Sequence, residues 1–172
     1  TNAVSGTTLG GTIADGGANQ LTFGGVTLAA TPTLDSQGGN IALTTLAGGS
    51  QDLTIAAGTA AGTTTVTGNV SALGDGTGAA LTVDNAATGL VDFQGTFGAN
   101  SGLTAGAGTS LKFGQNVTLA DGDTVTNLAG AVTLDGLDWS SFDGITFGAA
   151  TLSTAAVSLD SNGGNIALTT LA

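Results

Sequence analysis

The side chains best suited to chemistry lie in the stretch "LDGLDWSSFDG", residues 134–144. Three aspartates, Asp135, Asp138 and Asp143, surround Trp139, the single tryptophan of the chain. An indole beside carboxylates can stack on a sugar ring or flank a bound Ca²⁺, and paired carboxylates can hydrolyse a glycosidic bond. The same residues also suit a turn-rich loop, in which aspartates accept backbone hydrogen bonds and a tryptophan fills the core. We therefore treat all four residues as weak ligand-binding candidates and predict no catalytic residue.

A second acidic pair, Asp121 and Asp123 in "DGD", is a weak Ca²⁺ candidate because carboxylates at i and i+2 can share a hard cation. The chain has no His and no Cys, which excludes imidazole and thiolate chemistry and the metal sites built from those groups. We expect no enzyme activity and no cofactor, with loosely bound Ca²⁺ as the most that the carboxylates would hold.

The excess of acidic over basic residues limits which molecules this chain can bind. Of 172 residues, twelve are acidic and only Lys112 is basic, which gives a formal net charge of −11. Nucleic-acid binding depends on many Lys and Arg contacts to phosphate, so we expect none here. No run of 18 apolar residues exists, so membrane insertion through a helix is not expected. With 41% hydrophobic residues the chain can nevertheless bury a core.

A long internal repeat sets the organisation of the chain. "LDSQGGNIALTTLA" at 34–47 recurs as "LDSNGGNIALTTLA" at 159–172, and the two copies differ only at Gln37 and Asn162. We predict one tandem unit of about four coils at residues 1–125, the start of the next unit at 126–172, and no separate globular domain.

A shorter period positions the strands. Triplets of an aliphatic, a hydrophilic and an apolar residue recur about every 31 residues, separated by Gly, Asn, Asp and Ser. We predict an all-β fold, a β-solenoid with coils of about 31 residues; the alternative is a tandem β-sandwich. The predicted inward ladder has one column of Leu21, Leu53, Leu81, Leu111 and Ile145, and a second of Phe23, Ile55, Val83, Phe113 and Phe147.

The phrases "GGNIALTTLAGG", "QNVTLADGDTV" and "GAVTLDG" resemble the Gly/Thr/Ala/Asn repeats of filamentous-haemagglutinin-like and autotransporter-type bacterial surface proteins. That resemblance implies a right-handed β-helix outside the cell, used for adhesion or as a structural fibre.

From these observations we expect a secreted bacterial structural protein that forms or extends a surface filament by stacking coils. Its main partner would be itself, through head-to-tail stacking or covalent continuation. The alternative is an adhesin stalk or a glycan-binding surface protein whose recognition module lies outside this segment, with host or neighbour-cell glycans as partners.

Overall fold

All the regular structure in the described part of the chain is β-strand. The computed structural model describes residues 6–14, 20–56, 62–84, 89–120, 122, 124–153 and 155–172. Across those residues no helix occurs that is long and apolar enough to cross a membrane. The strands are β1 (Thr7–Leu9), β2 (Thr12–Ala14), β3 (Leu21–Thr22), β4 (Gly25–Leu28), β5 (Thr33–Asp35), β6 (Ile41–Leu43), β7 (Thr45–Gln51), β8 (Leu53–Ile55), β9 (Thr64–Val66), β10 (Val70–Leu73), β11 (Leu81–Val83), β12 (Leu90–Phe93), β13 (Phe97–Ala99), β14 (Leu103–Ala105), β15 (Ser110–Phe113), β16 (Val117–Leu119), β17 (Thr126–Leu134), β18 (Asp138–Ser141), β19 (Ile145–Leu152), β20 (Ser158–Asp160) and β21 (Ile166–Leu171).

These strands wind into a β-solenoid of about seven turns, in which every strand pair is parallel. Each coil contributes three strand segments, so the solenoid has three faces. Face 1 is the sheet β1-β4-β7-β10-β13-β16-β18-β20. Face 2 starts with β2-β5-β8-β11-β14 and face 3 with β3-β6-β9-β12-β15. In the last three coils β17, β19 and β21 each supply face 2 with their first half and face 3 with their second half.

The solenoid prediction is confirmed, but the coil length predicted from the triplet spacing is wrong. A coil has about 21 residues. The longer spacing joined strands on different faces: Leu21 and Leu111 belong to face 3, whereas Leu53, Leu81 and Ile145 belong to face 2. Successive triplets are therefore separated by one turn, one and a third turns, or one and two-thirds turns, and the predicted period of about 31 residues is the average of these separations. It follows that the long repeat unit spans more than the predicted four coils.

The predicted ladder residues all point inward, but they form two separate sets of columns. Leu53 lies beside Leu81, and Ile55 beside Val83, as predicted. Leu21 instead pairs with Ile41, and Leu111 lies between Val91 and Val132 on face 3. On that face the column that contains Phe113 runs through Leu43, Val66, Phe93, Phe113, Leu134 and Leu152, and Phe23 donates its backbone N–H to Ala42 next to that column. On face 2 Phe147 follows Leu128 in the column of Ile55 and Val83.

Aromatic side chains fill the middle of the solenoid. Phe93, Phe97, Phe113, Trp139 and Phe147 come from all three faces, and each is at most 1% exposed. Their ring centroids lie 4.8 to 5.6 Å apart, mostly in edge-to-face contacts. That geometry is favourable for aromatic pairs and adds to the gain from burying their apolar area. This part of the core is therefore built from the few large side chains that the chain has.

Both copies of the long repeat form the same corner. In the first copy Gln37 donates its N–H to Asp35 Oδ1 at 2.9 Å, and Ser36 donates its hydroxyl to the Gly39 carbonyl at 2.6 Å. In the second copy Asn162 and Ser161 make the equivalent bonds to Asp160 and Gly164, at 2.8 and 2.5 Å.

The two residues at the tip of each corner have positive φ. The values are 51° and 95° for Gln37 and Gly38, and 46° and 100° for Asn162 and Gly163. Asparagine and glycine tolerate this left-handed conformation better than most residues. The motif "LDSxGGN" thus specifies its corner locally, wherever it stands in the stack.

Candidate functional site

The structure places Trp139 in the core and not at the surface. Trp139 follows Val117 in the inward column of face 1 and is 1% exposed. Its ring meets Phe113 at 5.0 Å and Phe147 at 5.1 Å, both edge to face. Neither face of the indole is open to a sugar ring, so the suggested stacking platform is wrong. Strand alternation explains this, because Trp139 is an inward residue of β18, next to the outward Asp138.

The three aspartates of the same stretch point to different parts of the surface. Asp135 follows β17 and pairs with Lys112, with 3.4 Å between Nζ and Oδ2. Asp138 is exposed on face 1, where its backbone N–H donates to Asn116 Oδ1 at 3.0 Å. Asp143 lies in the corner between β18 and β19 and is half-buried. Among the residues that the structure describes, no three acidic groups come together as a metal site.

The other metal candidates, Asp121 and Asp123, lie outside the described residues. Another acidic pair, Asp52 and Asp75, lies at the corner between faces 1 and 2. Burial raises the pKa of Asp52, the negative charge of Asp75 raises it further, and a hydrogen bond from the Asp75 backbone opposes both effects. Among the residues that the structure describes, none donates a hydrogen bond to the buried Asp52 Oδ1.

A polar column runs along the outer side of face 2 through successive coils. The middle residues of the predicted ladder triplets are Thr22, Thr54, Thr82, Lys112 and Thr146, and strand alternation alone would put them in one outward row. In the structure Thr22 and Lys112 belong to face 3. The outward column of face 2 has one member in each of seven successive coils: Thr12, Thr33, Thr54, Thr82, Thr104, Asn127 and Thr146. With the coil length that the structure shows, this column could have been found from the sequence.

An open groove of about 480 Å³ runs along the middle of this column. Thr54, Thr82, Thr104 and Asn127 form one side, and Asp84 with small residues such as Gly106 forms the other. The neighbouring outward positions carry Ala, Gly or Asp, so no large side chain stands beside the column. Hydroxyl, amide and carboxylate groups spaced one strand apart, about 4.8 Å, can hydrogen-bond an extended polar ligand.

Comparisons with known protein families, with curated proteins and with solved structures returned no match to this chain.

Proposed function

We propose that this chain is a structural segment of a bacterial extracellular filament, of the filamentous-haemagglutinin-like or autotransporter type, which forms or extends a surface rod by stacking β-solenoid coils. The observation that carries the proposal is the unbroken parallel ladder, in which each face continues from the first coil to the last. Each coil adds about 4.8 Å, so the seven turns form a rod segment roughly 34 Å long.

The packing supports a mechanical role. Each coil contacts only its neighbours, so further coils lengthen the rod and add one more interface of the same kind. The core columns continue through the coils without a break, from Val26 through Leu46, Val70, Phe97 and Val117 to Trp139 on face 1. No catalytic step is assigned to the segment.

The composition supports an extracellular setting. A trypsin-like protease cuts after Lys or Arg, and the chain has a single such residue, Lys112. The absence of Cys and Met leaves little to oxidise. Both properties favour a durable material outside the cell.

Electron microscopy and proteolysis test this role together. The purified chain, or a tandem array of it, should form uniform rods or fibres with a strong layer line at about 4.8 Å, and should resist trypsin. Discrete rounded particles that neither elongate with added units nor resist trypsin would contradict the structural role.

The groove on face 2 favours a second candidate function, glycan binding along the side of an adhesin stalk. A linear, neutral or cationic glycan would suit it better than an anionic one, because Asp84 lines the groove in a chain of net charge −11. The test is a glycan-binding assay with Thr82→Val and Thr104→Val, set against Thr118→Val on face 1. Weaker binding for the two groove variants alone would support this function, and equal binding for all three would contradict it.

A further inference from the structure

The two copies of the long repeat occupy different faces of the solenoid. In the first copy Leu34 lies on face 2, and the following strands β6 and β7 lie on faces 3 and 1. In the second copy Leu159 lies on face 1, and β21 continues over faces 2 and 3. Five turns lead from Leu34 to Phe147 on face 2, and two more faces lead to Leu159. The long repeat therefore spans five and two-thirds turns, not a whole number.

The two copies also differ in what covers them. In the first copy Ile41, Leu43 and Leu46 are 1–2% exposed, because β9 and β10 stack on them. Their counterparts in the second copy are the last described apolar residues of the stack: Ile166, Leu168 and Leu171 are 42%, 36% and 57% exposed. The first copy therefore shows what kind of coil fits over these side chains.

We propose that the edge formed by β20 and β21 is a docking edge for a coil with the sequence of residues 48–73, supplied by a further repeat unit, and that this unit is turned by one face relative to the first. This inference rests on the proposed function, since it specifies how the rod is extended. The fit is already present in the first copy, where Ile55 lies beside Leu34, Val66 beside Leu43 and Val70 beside Leu46.

The rotation follows because each copy fixes its own corner. The hydrogen bonds of Asp35 and Ser36 recur at Asp160 and Ser161, so the second copy presents the same strand directions to its neighbour. A coil that matched the second copy residue by residue would place its Leu53–Ile55 strand on face 1, over Ser158–Asp160. A coil that instead kept its original face would place that strand on face 2, over Ile166–Leu168.

Cysteine pairs distinguish these two arrangements, because the chain has no cysteine of its own. The full chain is extended after Ala172 by a copy of residues 48–73 in which Thr54 is replaced by Cys. One variant adds Ser158→Cys and the other adds Ala167→Cys. Neighbouring strands place paired Cα atoms about 4.8 Å apart, within the range that a disulfide spans. A positive control, Thr33→Cys with Thr54→Cys in the original chain, uses the equivalent native pair.

We expect the Ser158→Cys variant to lose both free thiols on mild oxidation to the same extent as the positive control, while the Ala167→Cys variant keeps them. Closure of the Ala167→Cys pair would overturn the rotation, and closure of neither pair would overturn the docking edge. Electron microscopy tests the structural role separately. Rods that form although neither pair closes would leave the structural role intact and overturn the docking edge. A closed Ser158→Cys pair in discrete particles would contradict only the structural role.

Discussion

At the scale of the residue, Trp139 shows how strand alternation decides between a binding group and a core group. The aspartates around it suggested an exposed platform, yet in β18 the residues alternate, and Trp139 takes the inward position. The sequence alone contained this information, since a tryptophan flanked by Asp138 and Ser140 in a strand implies polar side chains on one face and an indole on the other. The sequence did not show that these residues form a strand, because "LDWSSF" also suits a loop.

Replacing Trp139 by Ala should destabilise the solenoid strongly. Removing a fully buried aromatic side chain typically costs about 3–5 kcal/mol in the free energy of unfolding. Phe142→Ala, which removes a side chain that is 52% exposed three residues away, should cost far less. Chemical denaturation followed by circular dichroism measures both, and a similarly small loss for the two variants would show that the indole is not a core group.

Asp52→Asn should stabilise the protein at neutral pH. The folded pKa of Asp52 is raised by burial and by Asp75, so the folded state binds this proton more tightly than the unfolded chain does. Stability is therefore lost as pH rises from the unfolded pKa of about 3.8 through the folded pKa, and the loss persists above it.

Solvent screening limits the expected gain from Asp52→Asn to less than about 1 kcal/mol at pH 7. The gain should vanish below the unfolded pKa of Asp52, where the carboxyl is protonated in both states. Asp138→Asn, at an exposed position on face 1, controls for the general benefit of removing one negative charge. Urea titrations at pH 3 and pH 7 decide the matter: a gain that is equal at both pH values, or equal in both variants, would exclude the effect of burial.

At the scale of the element, the corners determine the register of the stack. The sequence predicted short strands separated by Gly, Asn, Asp and Ser, and this was confirmed, because those residues bring turn chemistry wherever they occur. It did not predict which strands are neighbours. That depends on how many residues each corner holds, and successive residues of the face 1 column, Val26, Leu46, Val70 and Phe97, are separated by 20, 24 and 27 positions. The true coil length was hidden by this variation.

Some corners contain no loop and depend on close backbone contact. In β19 the strand passes from face 2 to face 3 at Gly148, where an added Cβ would lie 2.1 Å from the Ala129 carbonyl oxygen. Gly148→Ala should therefore force neighbouring coils apart and destabilise the protein by more than about 2 kcal/mol, in the range of overpacked cores.

Gly98→Ala provides the matched control, since its added Cβ would meet nothing closer than the Val70 carbonyl oxygen, at 3.6 Å. Glycine in a strand interior is otherwise unfavourable, so this control should be neutral or slightly stabilising. Thermal unfolding distinguishes the two, and equal melting temperatures would show that the close contact at Gly148 is relaxed in solution.

At the scale of the whole molecule, the long repeat does not contain a whole number of coils. This determines how successive units of any array are oriented about the axis. The sequence revealed the long repeat directly, but the number of coils it contains required the strand pairing. Because one unit spans five and two-thirds turns, equivalent side chains on successive units face different directions. The Lys112–Asp135 ion pair on face 3, for example, would return to the same side only after three units.

Fibre diffraction from a tandem array should reveal this mismatch. With about 4.8 Å per coil, one unit advances roughly 27 Å and three units, or seventeen turns, advance roughly 82 Å. The pattern should therefore show the layer line of the strand spacing, a pseudo-repeat at the advance of one unit and a true repeat at the advance of three units. Four coils per unit would instead give a repeat of roughly 19 Å. A true repeat at a whole number of coils per single unit would mean that successive units keep the same face. In that case the identical corners at Asp35 and Asp160 could not both keep the positions found here, and one copy would have to move by a third of a turn.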